Sequence, residues 1–292
     1  KENIIKLLTY YKPSDTNLNI FTKLNNLLIN INFDKEISDV NIVNIYNRCK
    51  DIVSSQLDGL EFNFSQIWRR NNIDLNCTRH FDVFRNFNII PEYCFGCFKV
   101  QIELSSLVDL FRLYILFDRL KLDQNKSRKC IVEMREISGG TYKGLIYCTG
   151  LEEGKNIYSI IKNITENAFT KNFKIKLRRG CTEFGKSYPD YKDINKPENN
   201  LMKYNSYWKE KEDIIDNKLP KKNRINSRKL NKNINGLTLN DFLIMKNWIM
   251  YAKIIKDDDY KKFDTNIKIS KYMIKEMSNQ VLYRNEQLKK TT

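Results

Sequence analysis

Phe98-Lys99-Val100-Gln101-Ile102-Glu103-Leu104 is the stretch that decides the fold. Apolar and polar residues alternate strictly through it, which is the period of a strand with one buried face. Just downstream, Ser106 and Asp109 make a capping-box-like start for an apolar-periodic helix ending near Leu122. A second alternating run, CIVEMR, covers 130–135. Gly139-Gly140 then supplies a turn, and TYKGLIYC over 141–148 reads as the returning strand. Residues 151–169 place Ile157, Ile160, Ile161 and Ile164 on one helical stripe. Phe173, Ile175 and Leu177 alternate with Lys174, Lys176 and Arg178 in a fourth strand. The order β-α-β-β-α-β predicts an α+β protein with a ferredoxin-like core over 94–180.

On the N-terminal side, 1–93 is expected to be mostly helical. Ile20, Phe21, Leu24, Leu27, Leu28 and Ile31 recur at helical spacing, as do Val40, Val43, Tyr46, Ile52 and Val53. Pro13-Ser14-Asp15 separates the first two helices. The stretch 60–77 is mixed, with Trp68-Arg69-Arg70 its most distinctive feature. On the C-terminal side, 181–237 loses periodicity and reads as a basic polar linker or wrapping loop. Residues 238–292 form a helical region opened by a Thr238/Asp241 cap, with a last helix over about 267–288. Asp257-Asp258-Asp259 is expected to end a helix in solvent.

Composition narrows the chemistry. The chain has 292 residues, 41% of them hydrophobic, and a formal net charge of +16, which fits a globular, basic protein and not a disordered one. No apolar run suggests a membrane span or signal peptide, so a cytoplasmic protein is expected. His80 is the one histidine, which excludes multi-histidine metal sites. With 10 glycines, the chain is expected to lack phosphate-cradling loops, and it has no GxSxG elbow.

The cysteines, at 49, 77, 94, 97, 130, 148 and 181, are odd in number and are expected to be reduced thiols. Two groupings suggest a metal. Cys77-x2-His80-x13-Cys94-x2-Cys97 has ligand-pair spacing suited to zinc. The predicted topology also brings Cys94, Cys97, Cys130, Cys148 and Cys181 to one end of the sheet, where thiolates could hold zinc or an iron–sulfur cluster. Buried inert thiols are the competing reading, and a Cys94/Cys97 redox dithiol is a third.

Charge is strongly asymmetric. Residues 171–292 hold 29 Lys+Arg against 15 Asp+Glu, a distribution suited to nucleic acid or another polyanion. Lys174, Lys176, Arg178, Arg179, Lys221, Lys222 and Arg224 are the expected phosphate contacts. Lys143-Gly144-Leu145-Ile146-Tyr147 loosely resembles the second RNP motif of RNA-recognition motifs. Leu145 and Ile146 stand where that motif places aromatics, so no site is carried across. Three functions follow as expectations: a metal-binding protein with a nucleic-acid surface, a metal-dependent enzyme acting on an anionic phosphorylated small molecule, and a partner-binding protein with buried thiols.

Overall fold

The structure, a computed structural model, describes residues 37–54, 63–69, 75–123, 126–169, 173–218 and 237–290. Helices and one five-stranded antiparallel sheet make up the fold. The strands are β1 (Gln66–Arg69), β2 (Cys97–Leu104), β3 (Arg128–Val132), β4 (Tyr142–Thr149) and β5 (Lys174–Arg179), in the spatial order β1-β3-β4-β2-β5. β2 lies between β4 and β5, with Lys99 opposite both Tyr147 and Arg178.

Of the helices, α1 (Asp39–Ser54), α2 (Cys77–Phe87) and the single turn α3 (Glu92–Phe95) precede β2. The two crossovers are α4 (Leu107–Arg119) and α5 (Leu151–Ala168). Both pack on one face of the sheet, where Val100, Ile102 and Ile146 meet the buried residues of both helices. Ser106 caps α4 as its sequence implies, its Oγ accepting the Asp109 N–H at 3.2 Å. Helix α4 is buried on every side from Leu107 to Asp118, the pattern of a helix packed between layers. Gly144 permits its close approach to the sheet. A Cβ there would stand 2.4 Å from Leu113 Cδ2 and 2.9 Å from Phe117 Cζ.

After β5 come α6 (Thr182–Ser187), α7 (Pro189–Lys192) and α8 (Lys209–Lys218), followed by α9 (Leu239–Ile255), α10 (Tyr260–Phe263), α11 (Lys271–Met277) and α12 (Val281–Lys289). Helix α9 starts with the Thr238/Asp241 capping box and packs against α1, α4, β1 and the three helices after it. Buried ions join these parts. Arg69 of β1 donates to Asp118 (2.7 Å) and Tyr114 (2.7 Å) of α4, and to Asp241 (3.2 Å) of α9.

Several expectations change. The strand expected over 130–135 lies at Arg128–Val132, because buried Arg128 reaches back to the Phe117 and Leu120 carbonyls at 2.6 and 2.8 Å, closing the end of α4. The polar stretch after β5 is not a plain linker: Phe184 and Tyr191 are buried with Ile90, Cys94 and Phe95 in a small second core, flanked by Tyr204 and Trp208. Arg79 of α2 clamps α8 to it, meeting Asp216 through two bonds of 2.8 and 2.7 Å and also Glu212. The last helix is broken, and α12 brings buried Arg284 onto the Arg135 and Ser138 carbonyls at 2.7 and 3.0 Å. Asp257 is buried rather than solvated. Its Oδ2 accepts from Tyr142 Oη (2.6 Å) and from the Leu107 N–H (2.9 Å) at the start of α4. The helices expected before residue 37 lie outside the described residues.

Candidate functional site

The thiols divide by the face of the sheet they occupy. Cys130 pairs with Gly144 and Cys148 with Phe98, which places both on the helix-covered face, and both are buried core residues. Cys49 is likewise a core residue of α1. Burial pushes the Cys148 thiol up to about 12.

Cys94, Cys97 and Cys181 gather at the start of β2. Cys94 sits in α3, its N–H donating to the Pro91 carbonyl at 2.9 Å, and its own carbonyl accepts Tyr191 Oη at 2.7 Å. Gly96 closes the turn, bringing Cys97 in only three residues later. The Gly180 N–H then donates to the Cys97 carbonyl at 2.8 Å, so Cys181 follows directly beside β2. Gly180 has φ +54°, and a Cβ there would fall 1.9 Å from Tyr191 Oη; both facts require glycine. Cys77, at the exposed start of α2, lies within electrostatic reach of the group. Burial raises the Cys94 thiol far above its ordinary range, and Cys97, Cys181 and Cys77 add to the rise. Burial lifts Cys97 to about 12, with Cys181 raising it further and Lys99 opposing. Among the described residues, no three His, Cys, Asp or Glu side chains stand in metal-holding geometry.

His80 is buried and stacked on Tyr93, with ring centroids 5.1 Å apart. Burial and the adjacent Arg79 charge hold it down at about 4, so it is neutral at physiological pH.

The other face of the sheet carries the cations. Lys129, Lys143, Lys99, Lys174, Lys176 and Arg178 all share it by register. Lys143 pairs with Glu133 at 2.9 Å and Lys176 with Glu103 at 3.0 Å. Lys99 is only 8% exposed. Lys129 donates to Gln66 at 2.8 Å and lies 4.6 Å from the Trp68 ring. Burial, then the Lys99 and Arg135 charges, pull Lys129 down to about 8. Arg179 is committed internally: it donates to the Phe95 and Met202 carbonyls at 3.0 and 2.9 Å and lies over the Tyr191 ring. Lys221, Lys222 and Arg224 lie outside the described residues.

The expectation of no phosphate-cradling loop needs correction at one place. Residues 180–187, GCTEFGKS, carry the spacing GxxxxGK[ST]. Their geometry is not that of a phosphate loop, because α6 already runs from Thr182 to Ser187. Lys186 therefore falls near the end of a helix and not at its start, where a phosphate loop places it.

Comparison of the chain with known protein families, curated proteins and solved structures finds no match. Among the described residues no helix is long and apolar enough to cross a membrane.

Proposed function

We propose that this chain is a metal-binding protein in which Cys77, Cys94, Cys97 and Cys181 supply thiolates to zinc or an iron–sulfur cluster. In this reading, β2-α4-β3-β4-α5-β5, with neighbour order β5-β2-β4-β3, is a ferredoxin-like core and the thiols sit at one end of it. The observation that carries the reading is that the Gly180-to-Cys97 and Tyr191-to-Cys94 hydrogen bonds hold the Cys181 segment against the Cys94–Cys97 turn, with Cys77 near enough to add to the rise of both thiols. Drawn together around the CxxC turn by a bound metal, these four thiols would supply the sulfur donors that a closed zinc or cluster site uses. Cys49, Cys130 and Cys148, all in the core, are left out.

Metal and acid-labile sulfide content of protein purified without oxygen tests this. Stoichiometric zinc, or iron with sulfide, is expected. Loss is expected in Cys97→Ser and Cys181→Ser but not in Cys49→Ser. Metal-free protein, or metal that survives both substitutions, refutes the assignment.

A further inference from the structure

A cavity of about 160 Å³ opens where the β3–β4 turn meets the junction of β5 and α6. Gly139, Arg178, Gly180, Gly185, Lys186 and Lys192 are among its walls, and no carboxylate lines it. We propose that this cavity binds the phosphate group of a small phosphorylated molecule, held by Arg178, Lys186 and Lys192.

Three observations carry the assignment. First, its cations lack counter-charges. Among the described residues, Lys186 and Lys192 take part in none of the ion pairs, and Arg178 makes only a long 3.4 Å bond to Gln101. Glu183, which is not among the cavity's walls, is bound by Arg135 through Oε1 at 2.7 Å, and its Oε2 is buried without a hydrogen-bond partner. Like charges held together in a recess repel one another, and a dianion relieves that repulsion while accepting several charge-assisted bonds. Second, the glycines make room for the cavity's walls. Gly180 admits no side chain beside Tyr191, and a Cβ on Gly185 would meet Lys192 Cβ at 3.0 Å, so glycine allows the Lys192 stem to lie close. Third, both glycines and the lysine of the 180–187 spacing line this one cavity, although Gly185 and Lys186 stand within α6.

The recess favours a small molecule over nucleic acid. A nucleic-acid surface needs a track of available cations, whereas Lys176 is paired with Glu103 and Arg179 is engaged internally. The cavity holds a phosphate group and leaves the rest of the molecule outside.

Calorimetric titration of the full chain with inorganic phosphate and pyrophosphate, in about 150 mM salt to screen diffuse attraction, tests the proposal. Metal content is measured on the same samples, so phosphate binding by metal-free protein stands apart from the thiol assignment. Saturable binding of one anion per chain is expected. Arg178→Met and Lys192→Met should each weaken it about tenfold, the effect of one charge-assisted hydrogen bond. Lys155→Met, at an exposed position of α5, should leave it unchanged. Lys192 is exposed, so its variant should melt with the parent. The proposal is overturned by absent saturation or by unchanged affinity in the folded Lys192→Met variant. It is equally overturned if only a single-stranded oligonucleotide binds, with steep salt dependence.

Discussion

Glu133 is the buried charge whose removal should be felt most clearly. It is 1% exposed, and its carboxylate accepts from Lys143 at 2.9 Å and from Arg135 Nε and Nη2 at 2.9 and 3.0 Å. Burial alone would raise its pKa, but the Arg135 hydrogen bonds and the Lys143 charge hold it down at about 2 from 4.5. That lowering corresponds to about 3 kcal/mol of stability at neutral pH. Because the folded value is the depressed one, the contribution is complete above 4.5 and is lost as pH falls from 4.5 toward 2. Glu133→Gln should therefore cost about 3 kcal/mol at pH 7, at the low end of the cost of breaking a buried ion pair. The gap between variant and parent should shrink to about 1 kcal/mol near pH 3, where the parent has lost most of the term. Lys143→Met should cost less, since Glu133 keeps Arg135, whereas Glu133→Gln leaves buried Lys143 with Ser138 at 2.8 Å. Urea unfolding followed by tryptophan fluorescence measures each value. A gap below about 1 kcal/mol at pH 7, or one that does not change with pH, would refute the reasoning.

Asp257 should pull stability the opposite way over the same range. Burial and the neighbouring Asp259 raise it from 3.8 to about 6, so its stabilising term is present below 3.8 and is lost as pH rises to about 6. Asp257→Asn removes this dependence, and relative to the parent it should gain about 3 kcal/mol between pH 3.5 and pH 7; parallel pH profiles would show the carboxylate is not strained. Gly180→Ala should destabilise by about 1–3 kcal/mol through its positive φ and the Tyr191 clash, and should expose the Cys94 thiol to faster modification by a disulfide reagent. An unchanged melting temperature together with unchanged thiol reactivity would remove the packing argument.

The elements legible in the sequence were those whose buried positions are apolar. β2, the Ser106 cap, the Ile157–Ile161 stripe and the Thr238–Asp241 box all follow rules of local spacing. The misplaced elements share another cause, which is polar residues that are buried. Arg128 reads as a surface residue, yet it closes α4 and shifts β3 by two positions. Asp257 reads as solvated, yet it holds the first turn of α4. Arg79, Glu212 and Asp216 are scattered over more than a hundred residues, and the contacts that hold α6, α7 and α8 in place show no period. β1 is four residues long, too short for alternation to be seen. At the site, the CxxC turn was visible from spacing. Spacing also pairs Cys77 with His80, whose stacking on Tyr93 leaves its in-plane Nε2 buried without a hydrogen-bond partner. The separation of Cys130 and Cys148 from the other thiols depends on which face each strand residue takes. A shift of one residue reverses that face, so only the paired register could show it.

The thiols and the cations occupy successive positions on the same strands, so their chemistries are linked. Cys97 and Lys99 are two apart on β2, hence on one face and about 7 Å apart along the strand. Arg178 stands opposite Lys99, and Cys181 follows just beyond. Burial opposes ionisation of Cys94 and Cys97, as their raised values show, and Lys99 already acts in the other direction on Cys97. Four thiolates around zinc would carry a net charge of about −2, which burial would resist and which Lys99 and Arg178 would help to balance. Arg178 is also a wall of the proposed phosphate cavity. A charge brought by metal and thiolates at one end of this row would therefore compete with a phosphate at the other for the same positive field. Reciprocity requires that each ligand weaken the other by one common factor. With either proposed ligand bound, the basic row would help a buried, thiol-lined strand end tolerate negative charge.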